Sequence, residues 1–125
     1  MKHQKFSISK RLSSFKYAFN GLRILVKEEH NSRIHFLAAI LVLIAGFLLK
    51  ISALEWLIII FAIGFVIATE IINSSIENIA DFISPDKDER IKKIKDLSAA
   101  AVLISAITAF IIGLIIFIPK IPSAC

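Results

Sequence analysis

Apolar and charged residues are segregated along this chain. Residues 34–49 contain no Asp, Glu, Lys or Arg, and His35 is the one titratable side chain among them. Residues 56–69 contain none, and residues 97–118 form an unbroken run of 22 uncharged positions. A bilayer span takes about 20 predominantly apolar residues. The third run meets that length by itself. The first reaches it when extended through Ile51 to Leu54. The second continues with helical periodicity through polar positions to Ile83. The pattern predicts transmembrane helices over 34–54, 55–83 (the last part a cytoplasmic extension) and 97–118, with a cytoplasmic loop at 84–96.

Before these spans, Leu12, Phe15, Phe19, Leu22 and Val26 recur at spacings of three and four, which is one stripe of a helix. Lys10, Ser13, Lys16, Asn20, Arg23 and Lys27 fall mostly on other faces. An apolar stripe beside a basic face predicts a helix lying in the membrane interface over residues 1–33. An amphipathic helix on a soluble core would share this stripe, but little soluble core is available here. The segment does not read as a cleavable signal, because it lacks an apolar core followed by a small-residue cleavage site.

Composition sharpens the class. The 125 residues suffice for one domain. They are 57% apolar, against about 45–50% in soluble domains, and mean hydropathy is +0.79. Four Gly and three Pro exclude a low-complexity or collagen-like chain. The single cysteine, Cys125, excludes an internal disulfide and a cysteine-based metal site. Net charge is +5. In so apolar a chain this points to a cytoplasmic membrane surface rather than to nucleic acid.

Lys and Arg set the expected orientation. Residues 1–33 carry eight and residues 84–96 carry five, whereas the 50–55 turn has only Lys50 and the C-terminal tail only Lys120. The positive-inside rule then places the N-terminus and the 84–96 loop in the cytoplasm, and the 50–55 turn and C-terminus outside.

The second span carries the chemistry. Glu70, Asn73, Glu77 and Asp81 are spaced by three, four and four, so they share an arc of about 80° on one helix face. Ionisable residues at membrane depth cost several kcal/mol and mark functional sites by default. A solvated helix end would account for Asp81 and in part for Glu77. It accounts poorly for Glu70, which directly follows 14 uncharged residues. Stacked carboxylates repel unless a cation or proton lies among them. His3, His30 and His35 are expected off this face, so a hard, oxygen-ligated ion such as Mg²⁺ is the natural candidate, held with substrate phosphates. Glu28 and Glu29 end the interfacial helix at the same depth, and either one can complete the site.

A second group, Lys92-Lys93-Ile94-Lys95-Asp96-Leu97-Ser98, precedes the third span. Lys92 and Lys93 read as a lipid-anchoring flank. Lys95 and Asp96 form an opposite-charge pair at the expected mouth of a helix, where small residues, Ser98 and Ala99, permit close packing. Such a mouth favours phosphate. Neither a Gly-x-x-x-x-Gly-Lys-Ser/Thr loop nor a protein-kinase signature is present, so any nucleotide is bound by a different architecture.

Together these stretches resemble the small integral-membrane lipid kinases of bacteria, the prokaryotic diacylglycerol kinase and undecaprenol kinase family. The likeness rests on Phe19-Asn20-Gly21-Leu22-Arg23, on Glu29 with Arg33-Ile34-His35, and on Glu70-Ile71-Ile72-Asn73-Ser74-Ser75-Ile76-Glu77 with Asp81. It also rests on Lys95-Asp96-Leu97-Ser98-Ala99-Ala100-Ala101-Val102, and it spans nearly the whole chain. The resemblance implies an all-α homotrimer in the bacterial inner membrane, with active sites shared between protomers. It implies Glu70 as catalytic base, Asn73 beside the transferred phosphate, and Glu29 and Glu77 holding Mg²⁺ on ATP. Lys95 and Asp96 would contact nucleotide, with a looser match for Lys10, Tyr17, Asp86, Lys87 and Asp88. Glu70, Ser98 and Ala99 would border the lipid. Ser98 stands where many diacylglycerol-kinase relatives have Gly, and Arg33-Ile34-His35 looks more like the undecaprenol-kinase branch.

The expected function is Mg·ATP-dependent phosphorylation of a lipid hydroxyl, of the diacylglycerol type first and of undecaprenol as the alternative. Phe36, Phe47, Phe61, Phe65 and Phe110 are compatible with either lipid's chains. A cation channel or scaffold subunit is the remote competitor, because a carboxylate ladder can line an ion path. Positive charge at Lys95 argues against it.

Overall fold

The computed structural model describes residues 7–124; Lys2, His3, Lys5 and Cys125 lie outside them. All regular structure in this range is helical, in the order α1 (Ile8–Glu28), α2 (His30–Leu48), α3 (Ala53–Ile83), α4 (Glu89–Phe117), a 3₁₀ turn (Ile118–Lys120) and the short α5 (Ile121–Ala124). The helices α2, α3 and α4 are long and apolar enough to cross a membrane.

Each helix boundary has a local cause. Ser7 caps α1 by accepting from the backbone N–H of Lys10. The break between α1 and α2 falls on Glu29, whose backbone is extended. Arg33 reaches back across this break, donating from Nε to the Val26 carbonyl at 2.6 Å and from Nη2 to the Lys27 carbonyl. These carbonyls end α1 and have no helical donor, so the guanidinium replaces the missing partners. The α2 helix ends with Ile51 N–H donating to Gly46 O and Lys50 N–H to Phe47 O. This is the Schellman pattern, with Lys50 at φ 51° in the left-handed position that glycine usually takes. Ser52 and Glu55 form a reciprocal capping box that starts α3. Asp88 caps α4, and the Arg90 backbone N–H holds its carboxyl below the usual carboxylate range.

Two elements differ in extent from those the charge pattern predicts. The first membrane-competent helix covers 30–48 rather than 34–54, because Glu29 breaks the chain early and Lys50 closes it. The expected 84–96 loop shrinks to residues 84–88, and residues 89–96 are the first two turns of α4. Charge marks where a helix leaves the bilayer, not where it ends, and Asp88 supplies a cap well before the apolar run begins.

The helices α3 and α4 pack along their lengths. Thr69 Oγ1 and Ser105 Oγ meet at 2.7 Å in mid-span, and Lys120 bonds Glu55 at 3.0 Å at the far end. That end holds the apolar core of Ile51, Ile59 and Ile116, against which Val42, Trp56 and Ile112 pack. Gly46 is required there, since a Cβ would stand 2.7 Å from Trp56 Cη2. The other polar contacts between helices gather at the opposite end. The stripe of α1, including Leu12, Phe15 and Phe19, is exposed, and Leu25 alone in this helix is buried.

Candidate active site

The polar face of α3 meets a different neighbour at each turn. Glu70, 5% exposed, faces α2. Its Oε2 accepts from Ser32 Oγ at 3.1 Å, and His35 Nε2 stands 3.1 Å from its Oε1. The imidazole is at ion-pair distance but out of hydrogen-bond alignment, so Oε1 accepts no hydrogen bond. One turn on, Asn73 faces α4, and its Oδ1 accepts from Ser98 Oγ at 2.7 Å. The amide nitrogen is the donor end of Asn73, and the side chain also hydrogen-bonds Glu77.

Glu29 approaches from the α1–α2 break, with its Oε1 accepting from Ser74 Oγ at 3.1 Å. Because Glu29 does not cap α2 with its side chain, the carboxylate is available to α3. Glu77 feels the charges of Glu29, Asp81 and Lys95. The Lys95 ammonium bonds Asp81 Oδ1 across the α3–α4 seam. Glu70, Asn73, Glu77, Glu29, Asp81 and Lys95 therefore line one end of the bundle. The chemistry available there is a buried carboxylate with an unpaired oxygen, two neighbouring carboxylates of like charge, and one ammonium bonded to a fourth carboxylate.

The remaining predicted residues divide. Glu28, the last residue of α1, is exposed, whereas Glu29 is half-buried. Ser98 is buried and Ala99 exposed. Lys95 and Asp96 do not pair with each other, because Asp96 bonds Lys92 at 2.7 Å along the helix. Neither lies at a helix mouth, since α4 begins at Glu89; the expected helix-terminus phosphate site is corrected accordingly. Asp88 serves as the α4 cap, Asp86 accepts a bond from Ser84 at its carbonyl, and Lys87 is exposed. On α1, Tyr17 is 72% exposed, and neither its side chain nor that of Lys10 contacts the cluster through a hydrogen bond or ion pair among the described residues. Phe47, Phe61 and Phe110 point outward and do not line one cavity. A groove of about 400 Å³ between α3 and α4 is instead bordered by Ile72, Ile76, Ile94 and Leu97, with Asn73 and Ser98 in its wall.

The expectation that no histidine meets the carboxylate face is also corrected, for His35 reaches it from α2. Ser32 does not figure among the sequence-based expectations, and His35 and Ser74 figure there only within the stretches that carry the resemblance, without a role at the site. The one available signal was Ser32 and His35 standing three apart at the start of an apolar span, a helical spacing that aims both at one neighbour.

The prokaryotic diacylglycerol kinase family description matches residues 16–117. The undecaprenol kinase of Bacillus subtilis is 37% identical over 119 residues, covering 95% of this chain and 97% of that protein. The diacylglycerol kinase of Synechocystis is 31% identical over 113 residues, covering 90% of this chain and 65% of that protein. The diacylglycerol kinase of Escherichia coli K12 is 33% identical over 95 residues, covering 76% and 78%. A match across most of the chain, on a helical membrane scaffold with buried Glu70 at its polar end, leaves one conclusion: the chain belongs to the prokaryotic diacylglycerol kinase family and is an ATP-dependent lipid kinase.

Proposed function

We propose that this kinase phosphorylates a polyprenol of the undecaprenol type at the cytoplasmic surface of the membrane. The observation that carries the lipid assignment is the 37% identity to an undecaprenol kinase over nearly the full length of both chains. Diacylglycerol is the second reading, favoured by the family description and by the relatives at 31% and 33% identity. A panel of undecaprenol and dioleoylglycerol with radiolabelled ATP tests the choice. Undecaprenol is expected to give the higher kcat/KM; a clear preference for dioleoylglycerol overturns the assignment.

The lipid hydroxyl oxygen forms a bond to the γ-phosphorus, and the bond from that phosphorus to the β,γ-bridging oxygen breaks, releasing ADP. Glu70 takes the hydroxyl proton. Its burial at the end of an apolar stretch suits a base for a lipid alcohol. Lys95 exchanges Asp81 for a phosphate oxygen as a mobile point charge, and the amide of Asn73 donates toward the transferred group.

Mg²⁺ fits the donor set. Glu29 and Glu77 are hard oxygen ligands of like charge acting on each other. Among the described residues no group of three His, Cys, Asp or Glu side chains is assembled to hold an ion alone. One or two carboxylates completed by substrate phosphates is how Mg²⁺ is commonly bound. When bound, the ion neutralises charge on the phosphates during transfer. A homotrimer, with Lys- and Arg-rich segments facing the cytoplasm, completes the reading. It is supported by the wide exposed apolar surface of the single chain and by the charge asymmetry.

A further inference from the structure

Ser32 and His35 reach the same carboxylate from one face of α2, and they treat its two oxygens differently. Ser32 Oγ, on a side chain 1% exposed, donates to Oε2. His35 Nε2 stands 3.1 Å from Oε1, the one buried side-chain oxygen left without a hydrogen bond among the described residues. A desolvated carboxylate oxygen without a donor is costly. His35 is the described residue with a nitrogen in reach of it, and Glu70 is the one ion-pair partner of His35 among the described residues. With Ser32 alone, the carboxylate is held at one oxygen and can swing about that bond.

We infer that Ser32 and His35 form a two-donor clamp, in which the Nε2–H of His35 turns onto Oε1 and holds the Glu70 carboxylate in one orientation. His35 is thus a positioning residue of the phosphoryl-transfer reaction. It acts through Glu70, and the inference rests on reading Glu70 as the base. A base misplaced by a small rotation loses rate without losing substrate affinity.

The test uses the full chain in neutral detergent with Mg·ATP, assayed separately on undecaprenol and dioleoylglycerol. His35→Leu lowers kcat about tenfold or more, as expected for loss of a hydrogen bond to a charged group, and leaves KM for ATP and for lipid within about twofold. His35→Gln places an amide nitrogen near the position of Nε2 and recovers most of the loss. His35→Asn is too short to reach and stays near the Leu variant. Full kcat in His35→Leu, a loss confined to KM, or equal activity of the Gln and Asn variants overturns the clamp. If His35→Leu does not fold, the Gln against Asn comparison decides. Glu70→Gln separates the two levels: its retained activity sinks the base reading, whereas an inactive Glu70→Gln beside a fully active His35→Leu sinks only the clamp.

Discussion

Among the described residues Glu70 is the one buried carboxylate. A carboxylate at membrane depth is retained against a cost of several kcal/mol, and here it is buried against α2 with one oxygen unpaired. Glu70→Gln keeps the volume and the Ser32 contact but removes the proposed base, so turnover is expected to fall by about 10²–10⁴-fold with the helical content unchanged by circular dichroism. Retention of more than about a tenth of turnover contradicts the assignment. Glu29 and Glu77 approach the site from different elements yet act on one another. Glu29→Ala and Glu77→Ala are each expected to raise the Mg²⁺ concentration needed for half-maximal rate, and the double variant to be no worse than the poorer single one, because ligands of one ion act as a unit. Multiplicative losses in a Mg²⁺ titration would show that they serve separate roles. Lys95 bonds Asp81 rather than its neighbour Asp96. Lys95→Met is expected to raise KM for ATP about tenfold, roughly one lost charge-assisted contact, with KM for lipid unaltered. An anchoring lysine would instead matter little in neutral micelles.

At the scale of elements, the α2–α3 turn is the most constrained junction. Ile51 and Trp56 fold back over Gly46, and the Trp56 ring also packs on Phe47 at 5.0 Å between centroids. Gly46→Ala drives a Cβ into that ring. Overpacking of this kind costs about 1–3 kcal/mol. A lowered thermal midpoint is expected, together with a shift in the emission of Trp56, the sole tryptophan. Lys50 presents the opposite case. It occupies a left-handed conformation at φ 51° that costs a side-chain-bearing residue about 1–2 kcal/mol. Lys50→Gly should raise the midpoint, and a fall would show that the lysine makes a compensating contact. These two substitutions lie at the end of the bundle away from Glu70, so both should leave KM for ATP unchanged.

For the molecule as a whole, the distribution of polar contacts separates two tasks. The apolar core lies by the α2–α3 turn, and the hydrogen-bonded cluster lies where α1, α2, α3 and α4 converge at the other end. A lipid kinase needs this separation, because its acceptor lies in the bilayer and its nucleotide in water. Apolar side chains such as Phe61, Leu103 and Phe110 are exposed along the described residues, far more than a soluble monomer tolerates. Lipid covers part of this surface, and other copies of the chain are expected to cover the rest. Cross-linking in detergent should give a ladder ending at three copies, and a chain that stays monomeric while fully active would exclude shared sites.

Much of this organisation is a local property and was therefore legible in the chain. Apolar runs of bilayer length dictate helices, because a backbone in lipid must satisfy its own hydrogen bonds. The shared face of Glu70, Asn73, Glu77 and Asp81 follows from helical spacing alone. What the sequence could not decide was who stands opposite. The pairing of Lys95 with Asp81 instead of Asp96 depends on α4 starting at Glu89 and running antiparallel to α3. The approach of Ser32 and His35 to Glu70 depends on the break at Glu29, which Arg33 stabilises by capping α1. Such partners are separated by 14 to 38 positions in the chain. Periodicity assigns a side chain to a face of its own helix, and only the packing of helices against one another determines what that face meets.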